Sequence, residues 1–263
     1  MNTQMHSRPN TPTSKTDEHA TEEVEVVARR STSDRSLLRI AAVAIPVGLV
    51  LQIVMETLHP SKADPNDSAA AFQEYAASTT WTIVHIGQFF AALLVVLALV
   101  ALARSLSRHG GVTGALAVIG GATAILVAAI FAVQMAVDGV VLKATIDTWT
   151  NATQAADKAS AYQVAEATRS LEKALSAFFH LANGTTLLAL GLAIAFGRSY
   201  PRWLGWVGAA AGLGFLIGGV VTAHTGFSPL AGSVLLGPVV LVTVFLLGAA
   251  VCMWRRGSTV HSR

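Results

Sequence analysis

Residues 81–106, WTIVHIGQFFAALLVVLALVALARSL, decide the fold. From Phe89 to Ala103 no side chain carries a charge or a hydrogen-bonding group. The stretch exceeds the ~20 residues with which a helix crosses the hydrocarbon core of a bilayer. A lone apolar strand in lipid would leave its backbone groups unpaired, so the segment must be helical. Comparable runs lie at 37–58, 112–137, 174–196, 203–223 and 234–254. The expected fold is therefore all-α, a polytopic membrane protein built as a six-transmembrane-helix bundle.

Composition agrees. The 263 residues are 53% hydrophobic and 13% charged, where an ordinary soluble domain carries about 25% charge. The single cysteine, Cys252, sits in an apolar run, which excludes an intrachain disulfide framework and a cysteine zinc cluster. The net charge is +3, but the basic residues flank apolar segments instead of forming one stripe, so nucleic acid is not an expected partner. The chain has no phosphate-binding glycine loop, no Gly-x-Ser-x-Gly elbow and no His-Glu-x-x-His helix, so no motif marks it as an enzyme.

Three regions follow: a disordered cytoplasmic tail at 1–36, the six-helix domain at 37–256, and a short cytoplasmic tail at 257–263. Arginines set the orientation. Arg29, Arg30, Arg35, Arg39, Arg104, Arg108, Arg198, Arg202, Arg255 and Arg256 gather on one side, which the positive-inside rule makes cytoplasmic, with both termini on it. Trp203, Trp206 and Trp254 then mark the inner interface and Trp81 the outer one. Residues 69–77, with Phe72 and Tyr75, read as a short helix lying on the membrane surface. The alanine-rich segment 155–173 either extends the fourth membrane helix outward or caps the bundle. Gly208, Gly212, Gly214 and Gly218 give small-xxx-small spacings on the fifth membrane helix. Such spacings suit close helix contact, including contact with a second copy of the chain. The bilayer itself is the one partner the sequence requires.

Ionisable residues within apolar spans are costly and mark sites. Here they are Glu56, His59, His85, Asp138, His180 and His224. Measured from the nearest basic helix end at ~1.5 Å per residue, His85 rises ~28 Å, His180 ~27 Å, His59 ~30 Å, His224 ~33 Å and Glu56 ~25 Å. Asp138 lies ~37 Å above Thr113. Five helices thus place an ionisable group in one layer near the extracytoplasmic face. Glu56/His59, His85/Gln88 and His180/Asn183 are i,i+3 pairs and Gln134/Asp138 an i,i+4 pair, so each shares a helix face. Glu56, His85 and His180 are expected to line one cavity, Glu56 pairing with His85. Gln88, Asn183 and Gln134 would serve as supporting hydrogen-bond groups. The segments beginning His85-Ile86-Gly87-Gln88 and His180-Leu181-Ala182-Asn183, each ending in Arg-Ser, also read as a weak internal repeat.

The stretch Tyr200-Pro201-Arg202-Trp203-Leu204-Gly205-Trp206 resembles a loop signature of uncharacterised six-helix membrane proteins of actinobacteria and related prokaryotes. The run from His59-Pro60 through Asp64-Pro65 to His85-Ile86-Gly87-Gln88, and Asp138-Gly139-Val140, are similar to that group as well. The resemblance covers about residues 37–256 and implies a prokaryotic plasma membrane, with no activity attached. Histidines on the second and fourth helices are also similar to the cytochrome b561 architecture, in which such a pair holds a haem. This chain departs from it on the third helix, which offers Asp138 and no histidine.

Four functions follow as expectations. The first is a cation- or proton-binding sensor or transport-related protein built on the Glu/His/Asp layer. The second is a b-type cytochrome with haem b between His85 and His180. The third is an intramembrane hydrolase using a divalent metal held among Glu56, His59, His85, Asp138, His180 and His224. The fourth is a structural membrane protein without a site. The lack of charge deep in the helices weighs against a full transport path.

Overall fold

The computed structural model describes residues 15–258. It comprises α1 (Lys15–Leu58), α2 (Ser68–Ala77), α3 (Trp81–Ser107), α4 (Gly111–Ala136), a π-helical turn (Val137–Leu142), α5 (Lys143–Asn151), α6 (Ala155–Phe196), α7 (Arg202–Thr225) and α8 (Pro229–Ser258). No strand occurs among the described residues. Six helical stretches are long and apolar enough to cross a membrane, so the chain is an all-α multipass bundle. Each helix packs on the next: α1 on α3, α3 on α4, α4 on α6, α6 on α7 and α7 on α8. The last, α8, returns to α1 and closes a ring.

The tail differs from expectation. Residues 15–36, assigned above to a disordered tail, are helical and continuous with the first span. Nucleation is the costly step in helix formation. Once the apolar span has formed a helix, alanine, glutamate and arginine upstream add turns at little cost. Residues 1–14 and 259–263 of the expected tails lie outside the described residues.

Between the two ends the ring is dry. Ile45, Leu102, Leu187, Leu190, Ile194, Leu204 and Phe245 are fully buried, and a Thr186-to-Thr123 hydroxyl hydrogen bond of 2.9 Å joins α6 to α4. The α6–α7 contact is made backbone to backbone. A Cβ on Gly191 would lie 2.4 Å from the Ala209 nitrogen, and one on Gly205 would lie 2.3 Å from the Ala195 nitrogen. These glycines allow the axes to approach where lipid gives no hydrophobic drive. The same contacts correct the expected oligomer face. Gly208 meets Phe245 and Gly191, Gly212 meets Leu188, Gly214 meets Pro238 and Gly218 meets Leu235, all within one chain. The surface proposed for a second copy is already occupied.

At the arginine-rich end, Asp34 pairs with Arg104 and Arg108. Tyr200 is buried beneath the Arg256 guanidinium, which stands 4.9 Å from its ring.

The opposite end carries a cap. α6 has 42 residues and so runs ~63 Å, about twice the ~30 Å hydrocarbon thickness. Its outer part is one wall of a small core made by Phe72 and Tyr75 of α2, Trp81, Leu142, Ile146, Trp149 and Ala165. Phe72 and Tyr75 therefore do not anchor α2 on the membrane surface. They face inward as the roof of the bundle. Trp81, expected in an interfacial belt, is 1% exposed beneath that roof. The roof is tied down by Glu74, whose carboxylate accepts hydrogen bonds from the Lys62 and Ala63 amides at 3.0 and 2.8 Å. Those bonds hold the Glu74 carboxyl below its ordinary value. Asp67 caps α2 by accepting from the Ala70 amide at 3.1 Å.

Candidate functional site

Beneath the cap lies an open cavity of about 480 Å³. Its walls come from α1 (Gln52, Glu56), the 59–65 loop, α3 (His85, Gln88), α4 with its π turn (Phe131, Gln134, Asp138) and α6 (Arg169, Glu172, Ser176, Phe179, His180).

The π turn builds the deepest wall. Widening a helix to i→i+5 bonding disturbs its ladder and frees carbonyls, a feature frequent at functional sites. Here α3 takes them up: Trp81 Nε1 donates to the Asp138 carbonyl at 2.9 Å and Thr82 Oγ1 to the Gly139 carbonyl at 3.0 Å. The approach requires glycine at 139, since a Cβ there would fall 2.5 Å from His85 Cβ. The same closeness sets the Asp138 carboxylate 2.9 Å from His85 Nε2. His85 Nδ1 lies 2.7 Å from the Trp81 carbonyl, an acceptor only, so Nδ1 carries a hydrogen. One further proton must sit between Nε2 and Asp138 Oδ2, on whichever of the two atoms holds it. His85 is 2% and Asp138 6% exposed, and both line the open cavity, so this proton exchanges with solvent only through it.

A second buried pair faces the first. Arg169 Nη1 donates to Glu172 Oε2 at 2.6 Å and Nη2 to the Tyr75 hydroxyl at 3.2 Å. The guanidinium also lies 4.9 Å from the Phe227 ring centre. Burial pushes the Tyr75 phenol up, so its hydroxyl stays protonated. Glu172 and Asp138 both line the cavity, and Asp138 Oδ1 has no donor. One connected line thus runs from the Trp81 carbonyl through His85 to Asp138, and another from Glu172 through Arg169 to Tyr75. Both lines end in a carboxyl group on the wall of one cavity, an arrangement that favours uptake of a proton or a cation.

His59 borders this line. Its Nδ1 lies 2.8 Å from the Pro60 carbonyl and its ring is 5.3 Å from that of His85. Burial, and next the neighbouring His85, push the His59 imidazole below its ordinary value. Glu56 is exposed and accepts from Gln88 Nε2 at 3.3 Å. The expected Glu56–His85 pair is therefore replaced by Glu56–Gln88, because the π turn brings Asp138 to the imidazole. Gln134 lines the cavity with Oε1 unpartnered. His180 also lines it, half-buried and stacked on Phe215 at 5.9 Å, with Nδ1 unpartnered. Asn183, one turn farther along α6, does not line the cavity. His224 is exposed on α7 and stands apart from it. Rise along a helix fixes depth and leaves direction around the axis open, which is why an equal depth did not bring His224 in.

The cofactor expectations fare differently from the cavity itself. Among the described residues no group of three or more His, Cys, Asp or Glu side chains is placed to hold a metal, so the hydrolase reading lacks its ligand set. Haem does not fit His85 either, because Asp138 occupies the Nε2 position that iron would take.

Tyr75, Arg169, Glu172 and Ser176 were not anticipated as site residues. Reading 155–196 as one helix would have found three of them. Residues 169, 172, 176 and 180 fall on one face at helical spacing, and that face ends at His180.

No curated protein and no solved structure matches the chain. A family model described as a domain of unknown function, DUF4386, matches residues 34–254, from Asp34 at the arginine-rich end of α1 to Trp254 in the last turns of α8. That span includes every helix of the ring and every residue of the cavity, and the chain belongs to the DUF4386 family.

Proposed function

We propose that this protein is a cation- or proton-responsive membrane sensor of a prokaryotic plasma membrane, with the capped cavity as its receptor site. The positive-inside rule then makes the arginine-rich end cytoplasmic and the cap extracytoplasmic. The observation that carries the reading is the Asp138 carboxyl group, 2.9 Å from His85 Nε2 and with its second oxygen unpartnered, in an open cavity that Glu172 also lines. A carboxyl group paired with a histidine changes its hydrogen bonding whenever a proton enters or leaves. The change reaches the fold directly, since Trp81 and Thr82 bind the carbonyls of the same π turn and Arg169 ties Glu172 to the roof.

Sensing fits better than transport. Below the cavity the bundle is filled by Ile45, Leu102, Leu187, Leu190 and Ile194, all fully buried. The polar groups described between the cavity and the arginine-rich end, the Thr186 and Thr123 hydroxyls, carry no charge, and a transport path normally has its site near the midplane with broken helices around it.

Trp81 provides the test, because its ring lies 4.5 Å from His85. In lipid nanodiscs the full-length protein should show a reversible step in tryptophan emission on pH titration. Asp138→Asn should remove the step and retain the helical circular-dichroism spectrum. A step unchanged in Asp138→Asn would place the response elsewhere and contradict the reading.

A further inference from the structure

We propose that the cavity binds a small organic monocation, an ammonium group carrying a hydrocarbon portion. The inference rests on the cavity being the receptor site and names the class of molecule it receives.

Size argues first. About 480 Å³ far exceeds what a proton or bare metal ion requires and falls in the range of small-molecule pockets. Charge argues second. Three carboxyl groups line the space (Glu56, Asp138 and Glu172), while Arg169 is the one lysine or arginine among the described lining residues. Its two terminal nitrogens are already committed to Glu172 and Tyr75. One carboxylate is thereby compensated, and the shared proton at His85 answers part of a second.

Hydrogen-bonding capacity argues third. On α4, Asp138 Oδ1 and Gln134 Oε1 stand one turn apart, both on residues more than nine-tenths buried, and neither has a donor. Glu56 takes a single hydrogen bond, at 3.3 Å from Gln88. The acceptors of Asp138, Gln134 and Glu56 call for an occupant that donates, although the lining also holds an unpartnered donor in Arg169 Nε. Metal ions are poorly served, because no set of three ligands converges among the described residues.

The remaining wall supplies the hydrocarbon contact. Phe131 and Phe179 stand with their rings 4.9 Å apart on the side of the cavity where α4 and α6 meet. Aromatic faces beside carboxylates are the usual environment for an alkylammonium or arylalkylammonium group.

The test uses the full-length protein in nanodiscs with phenethylammonium as probe, followed by isothermal titration calorimetry. Phenylethanol, of the same shape without charge, phenylpropionate, of opposite charge, and sodium and zinc salts are the comparisons. Saturable binding of phenethylammonium alone is expected. Glu56→Gln should weaken it by about two- to fivefold, the range of an exposed charge pair. That variant should fold, because Glu56 is exposed and makes one long hydrogen bond. His224→Gln, outside the cavity, should bind as the parent does. Binding of phenylethanol with equal affinity, binding unaffected by Glu56→Gln, or no saturable binding of the ammonium probe would each overturn the proposal. In the last case the pH-dependent step in Trp81 emission separates the two readings. If the step persists, the organic cation is refuted and the proton response stands; if it is absent too, the cavity has lost both roles.

Discussion

The two parts of α6 solve different problems with the same helical period. Along 169–180 the inward face presents Arg169, Glu172, Ser176 and His180 to the cavity, where Arg169 pairs with Glu172 and reaches Tyr75 of α2. Along 184–195 the inward face presents Gly184, Ala189, Gly191 and Ala195 and meets the backbone of α7. The first part is held by a few directional contacts that charge or pH can alter. The second is held by close packing that neither can alter. A responsive region mounted on an unresponsive one gives any local change a fixed frame to move against.

The largest effect should come from the polar part. Arg169→Ala leaves Glu172, 3% exposed, without its partner and removes the link to Tyr75. Breaking such a buried pair costs about 3–5 kcal/mol, and chemical denaturation in detergent should register it as early loss of the cap. A cost below ~1 kcal/mol, the range of exposed ion pairs, would mean the line of charges is not structural.

Next comes the glycine seam. Gly191→Ala places a methyl 2.4 Å from the Ala209 nitrogen, where backbone cannot give way. Overpacking of this kind costs about 1–3 kcal/mol, and in contrast to Arg169→Ala the loss should not depend on pH. A pH-dependent loss here would break the contrast between the two parts.

Smaller still is Thr82→Val, which deletes the 3.0 Å hydrogen bond to the Gly139 carbonyl at a cost near 1 kcal/mol. It should loosen the π turn and change the pH response while leaving the α6–α7 seam untouched. Hydrogen exchange resolved by segment would show protection falling at 137–142 alone.

The mildest prediction concerns His59. Its imidazole is held below the ordinary value of 6.5 by burial and then by His85. The unfolded chain therefore takes up a proton at higher pH than the folded one does. Its contribution to stability is fully present above the ordinary value, declines as pH falls, and stops declining once the folded imidazole is also protonated. The melting temperature should drop between roughly pH 7 and pH 5, and His59→Asn should flatten part of that drop. A melting temperature indifferent to His59→Asn at every pH would show that the ring is freely solvated.

The sequence reveals the bundle because spans are a matter of length and apolarity, which 37–58, 81–106 and the other runs display openly. It also reveals that Glu56, His85 and His180 lie at similar depths. It conceals three things. The Asp138-Gly139 pair sits within a helical pattern and gives no sign that the ladder widens there, so Asp138 was read as an outer residue and not as the partner of His85. Arg169 and Glu172 were read as charges of an outer segment because hydropathy falls where α6 leaves the lipid, although the helix continues. His224 was grouped by depth, which carries no information on direction around the axis.

The most direct measurement is 15N NMR of histidine-labelled protein in nanodiscs. Assignment would use His85→Gln. The geometry predicts a His85 ring with Nδ1 protonated and a strongly hydrogen-bonded proton at Nε2, and with both signals shifted in Asp138→Asn. A His85 ring whose signals match those of the exposed His224 and are indifferent to Asp138→Asn would contradict a proton held between His85 and Asp138.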